Sequence, residues 1–332
     1  MAIKVAINGF GRIGMLAAKI VSARSDLELV AINSTAAPDM TEYLMKYDSV
    51  HGPFNEIELI GEEYLRVGKD KAKLFSARDP KDLDFSSVGA EVVIECTGAF
   101  LTTEKAQGHI KGTVKKLVMS APAKDDTPTY VIGVNHTEYK GEAIISNASC
   151  TTNCLAPLVK VLDDTFGVEH GLMTTIHSYT NDQNILDAKH SKDRRRARAG
   201  AVNMIPTTTG AAKAVGLVLP HLNGKLNGYA MRVPTPDVSV VDLTATLKKN
   251  VTKEEINAAF DKAAEGAFKG LILIDKDKCV SSDFISCPYS SIYVPDLTQV
   301  VADNMVKVVA WYDNEWGYSE RLVDMVTHVC KA

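Results

Sequence analysis

The six residues Gly9-Phe10-Gly11-Arg12-Ile13-Gly14 constrain this chain more than any others. They follow an alternating apolar run at 3–8 and precede a helical pattern at 15–23, after which a second apolar run covers 27–33. Strand, glycine turn, helix and strand make a βαβ unit of the expected length. A glycine cluster alone only makes a turn; its flanking elements make it a dinucleotide-binding signal. Glycine at positions 9 and 11 lets the backbone approach a pyrophosphate resting on the positive end of the helix.

Where the second strand ends, an NAD-preferring site of this kind carries Asp or Glu to accept hydrogen bonds from the adenine ribose. This chain has Asn33-Ser34-Thr35-Ala36-Ala37-Pro38, with no carboxylate before Asp39. Ser34 and Thr35 can donate to a 2′-phosphate that a carboxylate would repel, so the reading is a site that accepts NADP. The plainer alternative is a Ser/Thr turn indifferent to the cofactor.

Residues 39–90 read as a short helix at 40–46 and polar strands near 56–60, 64–67 and 73–75, with Arg78 in the turn that follows. The pattern of the first strands resumes at 91–98 and 116–122, and further strands are expected near 130–132 and 143–146. After a helix at 150–165 it changes to long β-type runs at 167–178, 225–233, 239–248, 270–274, 290–294 and 305–312. One clear helix at 253–266 interrupts them, and an amphipathic helix at 315–330 closes the chain. The expected architecture is an α/β Rossmann dinucleotide-binding domain plus an α+β domain with a mainly antiparallel sheet. A length of 332 residues suits two such domains.

The second domain opens on Ala148-Ser149-Cys150-Thr151-Thr152-Asn153-Cys154, between a strand and a helix. A thiol at a helix N-terminus meets unpaired backbone N–H groups and the positive end of the dipole, both of which favour thiolate. The alternative is a pair of buried structural cysteines. His177, at the end of the 167–178 strand, offers a base to take a proton and a cation to favour the thiolate. Phosphate-sized anions need backbone N–H groups, hydroxyls and arginine. Thr180, the Thr207-Thr208-Thr209-Gly210 run opening a helix, and Arg232 offer these.

Other classes of function fit poorly. The six cysteines lack a paired CxxC metal pattern and are too sparse for a disulfide scaffold, which points to a reducing, cytoplasmic protein without a metal site. The N-terminus reaches Gly9 too soon for a signal peptide, and no apolar run is long enough to cross a bilayer. A net charge of −4 gives no general attraction for nucleic acid or anionic membrane. The stretch from Lys189 through Lys192 to Arg198 is strongly basic but lacks interleaved aromatics. It is expected to be a loop that salt-bridges within an oligomer or lies near an anionic cofactor.

Five segments together carry a resemblance. They are the glycine turn, Ser149-Cys150-Thr151-Thr152-Asn153-Cys154, Pro206-Thr207-Thr208-Thr209-Gly210-Ala211-Ala212-Lys213-Ala214-Val215, Met231-Arg232-Val233-Pro234-Thr235-Pro236 and Trp311-Tyr312-Asp313-Asn314-Glu315-Trp316-Gly317-Tyr318-Ser319. In that order they resemble phosphorylating glyceraldehyde-3-phosphate dehydrogenase, from residue 3 to the C-terminal helix. The resemblance implies a Rossmann domain over 1–149 completed by the C-terminal helix at 315–332, a catalytic domain over 150–314, and a homotetramer. It implies that Cys150 attacks the aldehyde of glyceraldehyde 3-phosphate to give a thiohemiacetal. His177 then takes the hemiacetal proton while hydride passes to the nicotinamide. Inorganic phosphate finally releases the thioester as 1,3-bisphosphoglycerate. By motif match, Thr180 and Arg232 hold one phosphate, and Ser149, Thr151, Thr209 and Gly210 the other. Asn314 fixes the nicotinamide carboxamide, Tyr318 packs beside the ring, and Arg12, Ile13, Arg78 and Ser120 line the rest of the dinucleotide.

Two departures from that family bear on the cofactor. Ser34 stands where NAD-preferring members have Asp, and Lys189 where they typically have proline, in a loop that reaches a neighbouring subunit's adenosine. A charged hydrogen bond contributes about 1.5–3 kcal/mol, so use of NADP, alone or beside NAD, is expected. Met15 replaces an arginine common in the family, and nothing in the sequence accounts for it. An enzyme rival is erythrose-4-phosphate dehydrogenase, which keeps the same cysteine and histidine for a longer aldehyde. A dehydrogenase fold kept for binding, for instance of nucleic acid through residues 189–198, is argued against by the intact Cys150 and His177.

Overall fold

A computed structural model describes residues 2–191 and 193–332, so Lys192 of the basic stretch lies outside the described residues. The chain divides into two units: one runs from the N-terminus to Ser149 and resumes over Ser319–Ala332, and the other is Cys150–Tyr318.

The first unit is built on β1 (Ile3–Asn8), β2 (Leu27–Asn33), β3 (Ile57–Ile60), β4 (Tyr64–Val67), β5 (Asp70–Phe75), β6 (Val92–Glu95), β7 (Lys116–Met119) and β8 (Ile144–Ser146). They form one sheet in the order β3-β4-β5-β2-β1-β6-β7-β8. From β5 to β8 the neighbours run parallel, while β3 and β4 add an antiparallel edge. Val5, Ala6, Ile7, Val92, Val93 and Ile94 are wholly buried, the continuous apolar run that a parallel sheet covered on both faces requires. The helices α1 (Arg12–Ala23), α2 (Pro38–Lys46) and α3 (Thr103–Ala106) lie along the connections. The chain leaves β1 toward β2 on one side and later joins β6 on the other. That reversal opens a crevice beyond the C-terminal ends of β1 and β6.

The strand expected at 130–132 does not form; Thr129 makes a single bridge to Ser146. The Asn135 side chain accepts from the Val131 N–H at 2.8 Å and donates to the Thr129 carbonyl at 3.0 Å. Backbone groups taken up by an asparagine side chain are not available to a ladder.

The second unit begins with α4 (Cys150–Phe166) and β9 (Val168–Ser178), followed by β10 (Ile205–Thr208), α5 (Ala211–Val218), β11 (Leu226–Val233), β12 (Ser239–Leu247) and α6 (Lys253–Glu265). β13 (Ile272–Ile274), β14 (Ser291–Tyr293), β15 (Gln299–Val301) and β16 (Met305–Tyr312) complete it. The sheet order is β10-β11-β9-β12-β16-β14-β13, with β15 also on β16. Only β9 with β11 and β13 with β14 are parallel, so the sheet is mainly antiparallel. Along β12, Ser239, Val241, Leu243, Ala245 and Leu247 are buried and the residues between them less so. That period of two gives the sheet one core face. α4 contributes Leu155, Leu158, Val159 and Leu162 to the core, each wholly buried.

The closing helix α7 (Trp316–Lys331) returns the chain to the first unit. There Arg24 Nη1 donates to Asp324 at 2.7 Å and His328 Nε2 donates to the His136 carbonyl at 2.7 Å. Among the described residues no helix is long and apolar enough to cross a membrane.

Candidate active site

The turn between β8 and α4 delivers Cys150 as the first residue of a 17-residue helix. Ala148, wholly buried, takes a left-handed φ of 56° that a non-glycine residue adopts only when its surroundings enforce it. Its N–H donates to Ser146 Oγ at 3.1 Å, and Ser146 Oγ donates to the Ala121 carbonyl at 2.8 Å. The turn is thus tied to the sheet, not left loose.

Cys150 Sγ lies 3.5 Å from His177 Nε2 and 4.0 Å from Thr151 Oγ1. β11 and β9 run parallel with Arg232 directly beside His177. Arg232 Nη1 donates to His177 Nδ1 at 2.7 Å and to the Ser178 carbonyl at 2.9 Å. Burial pushes the Cys150 thiol up, opposed by the charge of Arg232 and by hydrogen bonds from Thr151 and the helix N-terminus. Desolvation therefore outweighs the helix end, which alone was expected to favour thiolate. Burial, and then the neighbouring Arg232 charge, push His177 down to about 3, so the imidazole is neutral. This corrects one expectation: His177 can serve as base, but the fixed cation beside the thiol is Arg232. Two cations in contact inside a desolvated pocket would repel, and the guanidinium is the one that keeps its proton. The structural-cysteine alternative does describe Cys154, which is wholly buried with its thiol pushed well up by that burial.

Tyr312, Ser178 and Ser239 are positioning groups that the sequence reading did not single out. Tyr312 Oη sits 2.8 Å from Thr151 Oγ1 and 2.9 Å from Thr175 Oγ1, and its ring meets His177 edge to face at 5.9 Å. Asn314 Oδ1 accepts from Ser178 Oγ at 2.7 Å and Ser239 Oγ at 2.6 Å, which leaves Nδ2 to donate elsewhere. Alternation along β12 hinted that Ser239 faces inward, but nothing local pointed to Asn314 as its partner.

The anion-binding candidates occupy loops around this centre. The Thr180 N–H donates to Gln183 Oε1 at 2.9 Å, and Thr209 Oγ1 accepts from Ala211 N at 3.2 Å. Gly210 caps α5, and a Cβ there would meet nothing within 4 Å. Ser149 and Thr151 flank the cysteine. Within the basic loop, Arg196 donates to Thr207 Oγ1 and to Asp182, each at 2.7 Å, and Arg198 donates to Asp187 at 2.8 Å. These two arginines are thus paired inside the chain. Lys189 is exposed.

In the first unit a cleft of about 440 Å³ brings together Gly9, Gly11, Ser34, Thr35 and Arg78 with Asn8, Phe10, Asn33, Thr97 and Phe100. It brings the glycine turn together with the Ser34-Thr35 turn, the two segments the sequence assigns to pyrophosphate and adenine ribose. A Cβ on Gly9 would lie 2.7 Å from the Thr97 nitrogen and one on Gly14 only 2.1 Å from the Gly9 carbonyl, whereas one on Gly11 would meet nothing within 4 Å. Two glycines are needed for packing and the third borders open space at the head of α1, where a pyrophosphate would rest. Ser34 Oγ accepts from Ala36 N at 3.2 Å and is 3.2 Å from Thr41 Oγ1. Arg12 turns to Asp48 at 3.0 Å, and Ile13 follows it in the first turn of α1. Ser120, just past β7, donates its N–H to the Glu95 carbonyl at 2.9 Å. Lys189, Asn314 and Tyr318 belong to the second unit, where Tyr318 is buried. A buried network under the cleft carried no sequence signal. Asn33 donates to Asn8 at 2.7 Å and to the Ala77 carbonyl at 2.9 Å, Asn8 donates to Glu95 at 2.5 Å, and His109 stands 3.3 Å from that carboxylate.

A doubly wound unit with a dinucleotide cleft, joined to a unit that sets thiol, imidazole and guanidinium in contact, defines a Rossmann-type oxidoreductase architecture. The model of the glyceraldehyde 3-phosphate dehydrogenase NAD binding domain matches residues 3–103, and that of the same family's C-terminal domain matches residues 149–314. A cytosolic glyceraldehyde-3-phosphate dehydrogenase of Ranunculus acris is 51% identical over 333 residues, covering 99% of this chain and 98% of the relative. A glyceraldehyde-3-phosphate dehydrogenase of Mycobacterium avium is 52% identical over 341 residues, with both chains fully covered. Glyceraldehyde-3-phosphate dehydrogenase 2 of Bacillus subtilis is 50% identical over 331 residues, covering 99% and 97%. The chain belongs to the glyceraldehyde-3-phosphate dehydrogenase family of oxidoreductases.

Proposed function

We propose that this protein is a phosphorylating glyceraldehyde-3-phosphate dehydrogenase that accepts NADP as well as NAD. The observation that carries the chemistry is the contact of Cys150 Sγ with His177 Nε2 at 3.5 Å, with Arg232 Nη1 on the far ring nitrogen at 2.7 Å. Cys150, as thiolate, adds to the aldehyde carbon of glyceraldehyde 3-phosphate, and the new C–S bond leaves an alkoxide that is protonated to a hemiacetal. His177 takes the hemiacetal proton as hydride leaves the same carbon. The bound dinucleotide supplies the hydride acceptor. Inorganic phosphate then attacks the thioester, the C–S bond breaks, and 1,3-bisphosphoglycerate departs from the regenerated thiolate.

The binding roles are carried over from the family resemblance, residue by residue. Arg232 and Thr180 hold one phosphate; Ser149, Thr151, Thr209 and Gly210 hold the other. Asn314 presents Nδ2 to the nicotinamide carboxamide, because its Oδ1 is occupied by Ser178 and Ser239. Tyr318 packs beside that ring. Gly9, Gly11, Arg12, Ile13, Arg78 and Ser120 line the remaining dinucleotide. We assign dinucleotide binding to residues 1–149 with the C-terminal helix, and catalysis to residues 150–314.

NADP use rests on Ser34 and Thr35, which present hydroxyls and no carboxylate to the cleft, and on the exposed cation of Lys189. A homotetramer would cover Leu172, Ile185, Leu186, Val202 and Met204, which are 68–82% exposed in one chain. Relatives from Ranunculus acris and Pinus sylvestris are named cytosolic, and we place this protein in the cytosol as well.

Steady-state kinetics with NAD and NADP side by side, on glyceraldehyde 3-phosphate and erythrose 4-phosphate, with and without phosphate, test the reading. Phosphate-dependent turnover of the three-carbon aldehyde is expected with both cofactors. A kcat/KM for NADP about a hundredfold below that for NAD, the effect of losing one charged hydrogen bond, would remove the dual-cofactor claim. Turnover indifferent to phosphate, or faster with the four-carbon aldehyde, would remove the substrate assignment.

A further inference from the structure

We propose that Glu95, a buried carboxylate that does not itself border the cleft of the first unit, is the positioning residue that holds the turns around that cleft in place for a dinucleotide. The proposal rests on the reading of the cleft as a dinucleotide site.

β2, β1 and β6 end on Asn33, Asn8 and Glu95, and the ladder pairs Asn33 with Asn8 and Asn8 with Glu95. The three residues form a row across the C-terminal strand ends, 4%, 1% and 0% exposed. Each leads into a turn that lines the cleft: Ser34-Thr35 after Asn33, the glycine turn after Asn8, and Thr97 two places past Glu95.

The direction of each hydrogen bond in the row follows from its two ends. The Ala77 N–H can only donate, and it meets Asn33 Oδ1 at 2.9 Å. Asn33 therefore turns its amide nitrogen to Asn8 Oδ1 at 2.7 Å, and Asn8 turns Nδ2 to Glu95 Oε2 at 2.5 Å. At the other end the Thr97 N–H donates to Glu95 Oε1 at 2.8 Å, and the Thr97 hydroxyl donates to the same oxygen. Both side-chain oxygens of residue 95 must accept, which a carboxylate does and an amide cannot. His109 Nε2 stands 3.3 Å from Oε2, and its ring stacks on Phe85.

A buried carboxylate is costly unless hydrogen bonds compensate it, and a negative charge near a pyrophosphate repels that ligand. Attraction for the dinucleotide therefore does not account for Glu95, whereas the geometry it imposes does. It holds Thr97 directly, and through Asn8 and Asn33 it holds the Ala77-Arg78 turn. A Cβ on Gly9 would lie 2.7 Å from the Thr97 nitrogen, so a shift at Thr97 passes directly to the glycine turn. Turns fixed before the ligand arrives do not have to be ordered by it, and that saving appears as affinity.

The test uses the whole enzyme: NAD affinity by calorimetric titration, kcat at saturating NAD, and amide hydrogen exchange read by mass spectrometry without NAD. Glu95→Gln should weaken NAD binding about tenfold to a hundredfold, the range of one charged hydrogen bond, and leave kcat at saturation within about twofold. Exchange should rise about tenfold around Thr97, which touches the carboxylate, and also around Ala77, which does not. β9 and β12 should keep their protection. Asn8→Asp combined with Glu95→Gln moves the carboxylate one place along the row and keeps a donor facing an acceptor in every bond. That pair should restore NAD affinity to within about threefold of wild type. Asn33→Ala cuts only the arm to Ala77, and it carries the test if Glu95→Gln does not fold. It should speed exchange around Ala77, leave Thr97 protected and weaken NAD binding. Unchanged NAD affinity in either single variant, faster exchange at Thr97 alone in Glu95→Gln, or a folded double variant whose affinity stays lost overturns the positioning role and leaves the cleft reading intact. A wild type that does not bind NAD overturns the cleft reading and the proposal with it.

Discussion

At His177 two effects act in the same direction, since the ring is 3% exposed and a guanidinium touches it. Its folded value is about 3 against an ordinary 6.5, so the unfolded chain binds this proton first as pH falls. Stability from this group is therefore complete above 6.5 and lost progressively below it. At pH 5 the loss is about 2 kcal/mol. Wild type should consequently lose more Tm between pH 7 and pH 5 than His177→Asn does, by several degrees. Scanning calorimetry on both proteins checks this, and equal losses would mean that the histidine is not held neutral. His177 and Arg232 were each legible in the sequence as candidates. Their contact was not, because it depends on the pairing of two strands 55 residues apart.

At the scale of elements, the opening βαβ unit shows how a local signal can prescribe a structure. A Cβ on Gly14 would lie 2.1 Å from the Gly9 carbonyl, while one on Gly11 has open space. Gly14→Ala should therefore force α1 away from β1, costing about 1–3 kcal/mol in urea unfolding along with the dinucleotide affinity. Gly11→Ala should leave stability within about 0.5 kcal/mol and still weaken dinucleotide binding in a calorimetric titration. If both variants unfolded alike, the packing argument for Gly14 would fail. Strand, turn and helix were readable there because each requirement lies within a few residues. The missing strand at 130–132 was not readable, since its backbone groups are satisfied by the side chain of Asn135. Nor was Tyr312, whose hydroxyl reaches Thr151 across 161 residues of sequence.

For the whole molecule, the quantity to measure is the preference between NAD and NADP. The proposal places one contribution at Ser34 in the first unit and another at Lys189 in the second. Ser34→Asp with Lys189→Pro should move the kcat/KM ratio toward NAD by about tenfold to a hundredfold, as expected for one repulsive carboxylate gained and one cation lost. Parallel assays with both cofactors measure it, and an unmoved ratio would remove both residues from the explanation. Each single variant apportions the effect between the units, and additivity is expected unless the two side chains meet the same phosphate.

The amino-acid sequence by itself determined the two-part plan, the glycine turn, the cysteine at a helix start and the absence of an acid after β2. Those features depend on backbone geometry and side-chain chemistry within a short window. Only the tertiary structure decided which group beside the thiol carries the charge. Proton affinities depend on burial and on neighbours brought from distant strands, and here these leave His177 neutral and make Arg232 the cation.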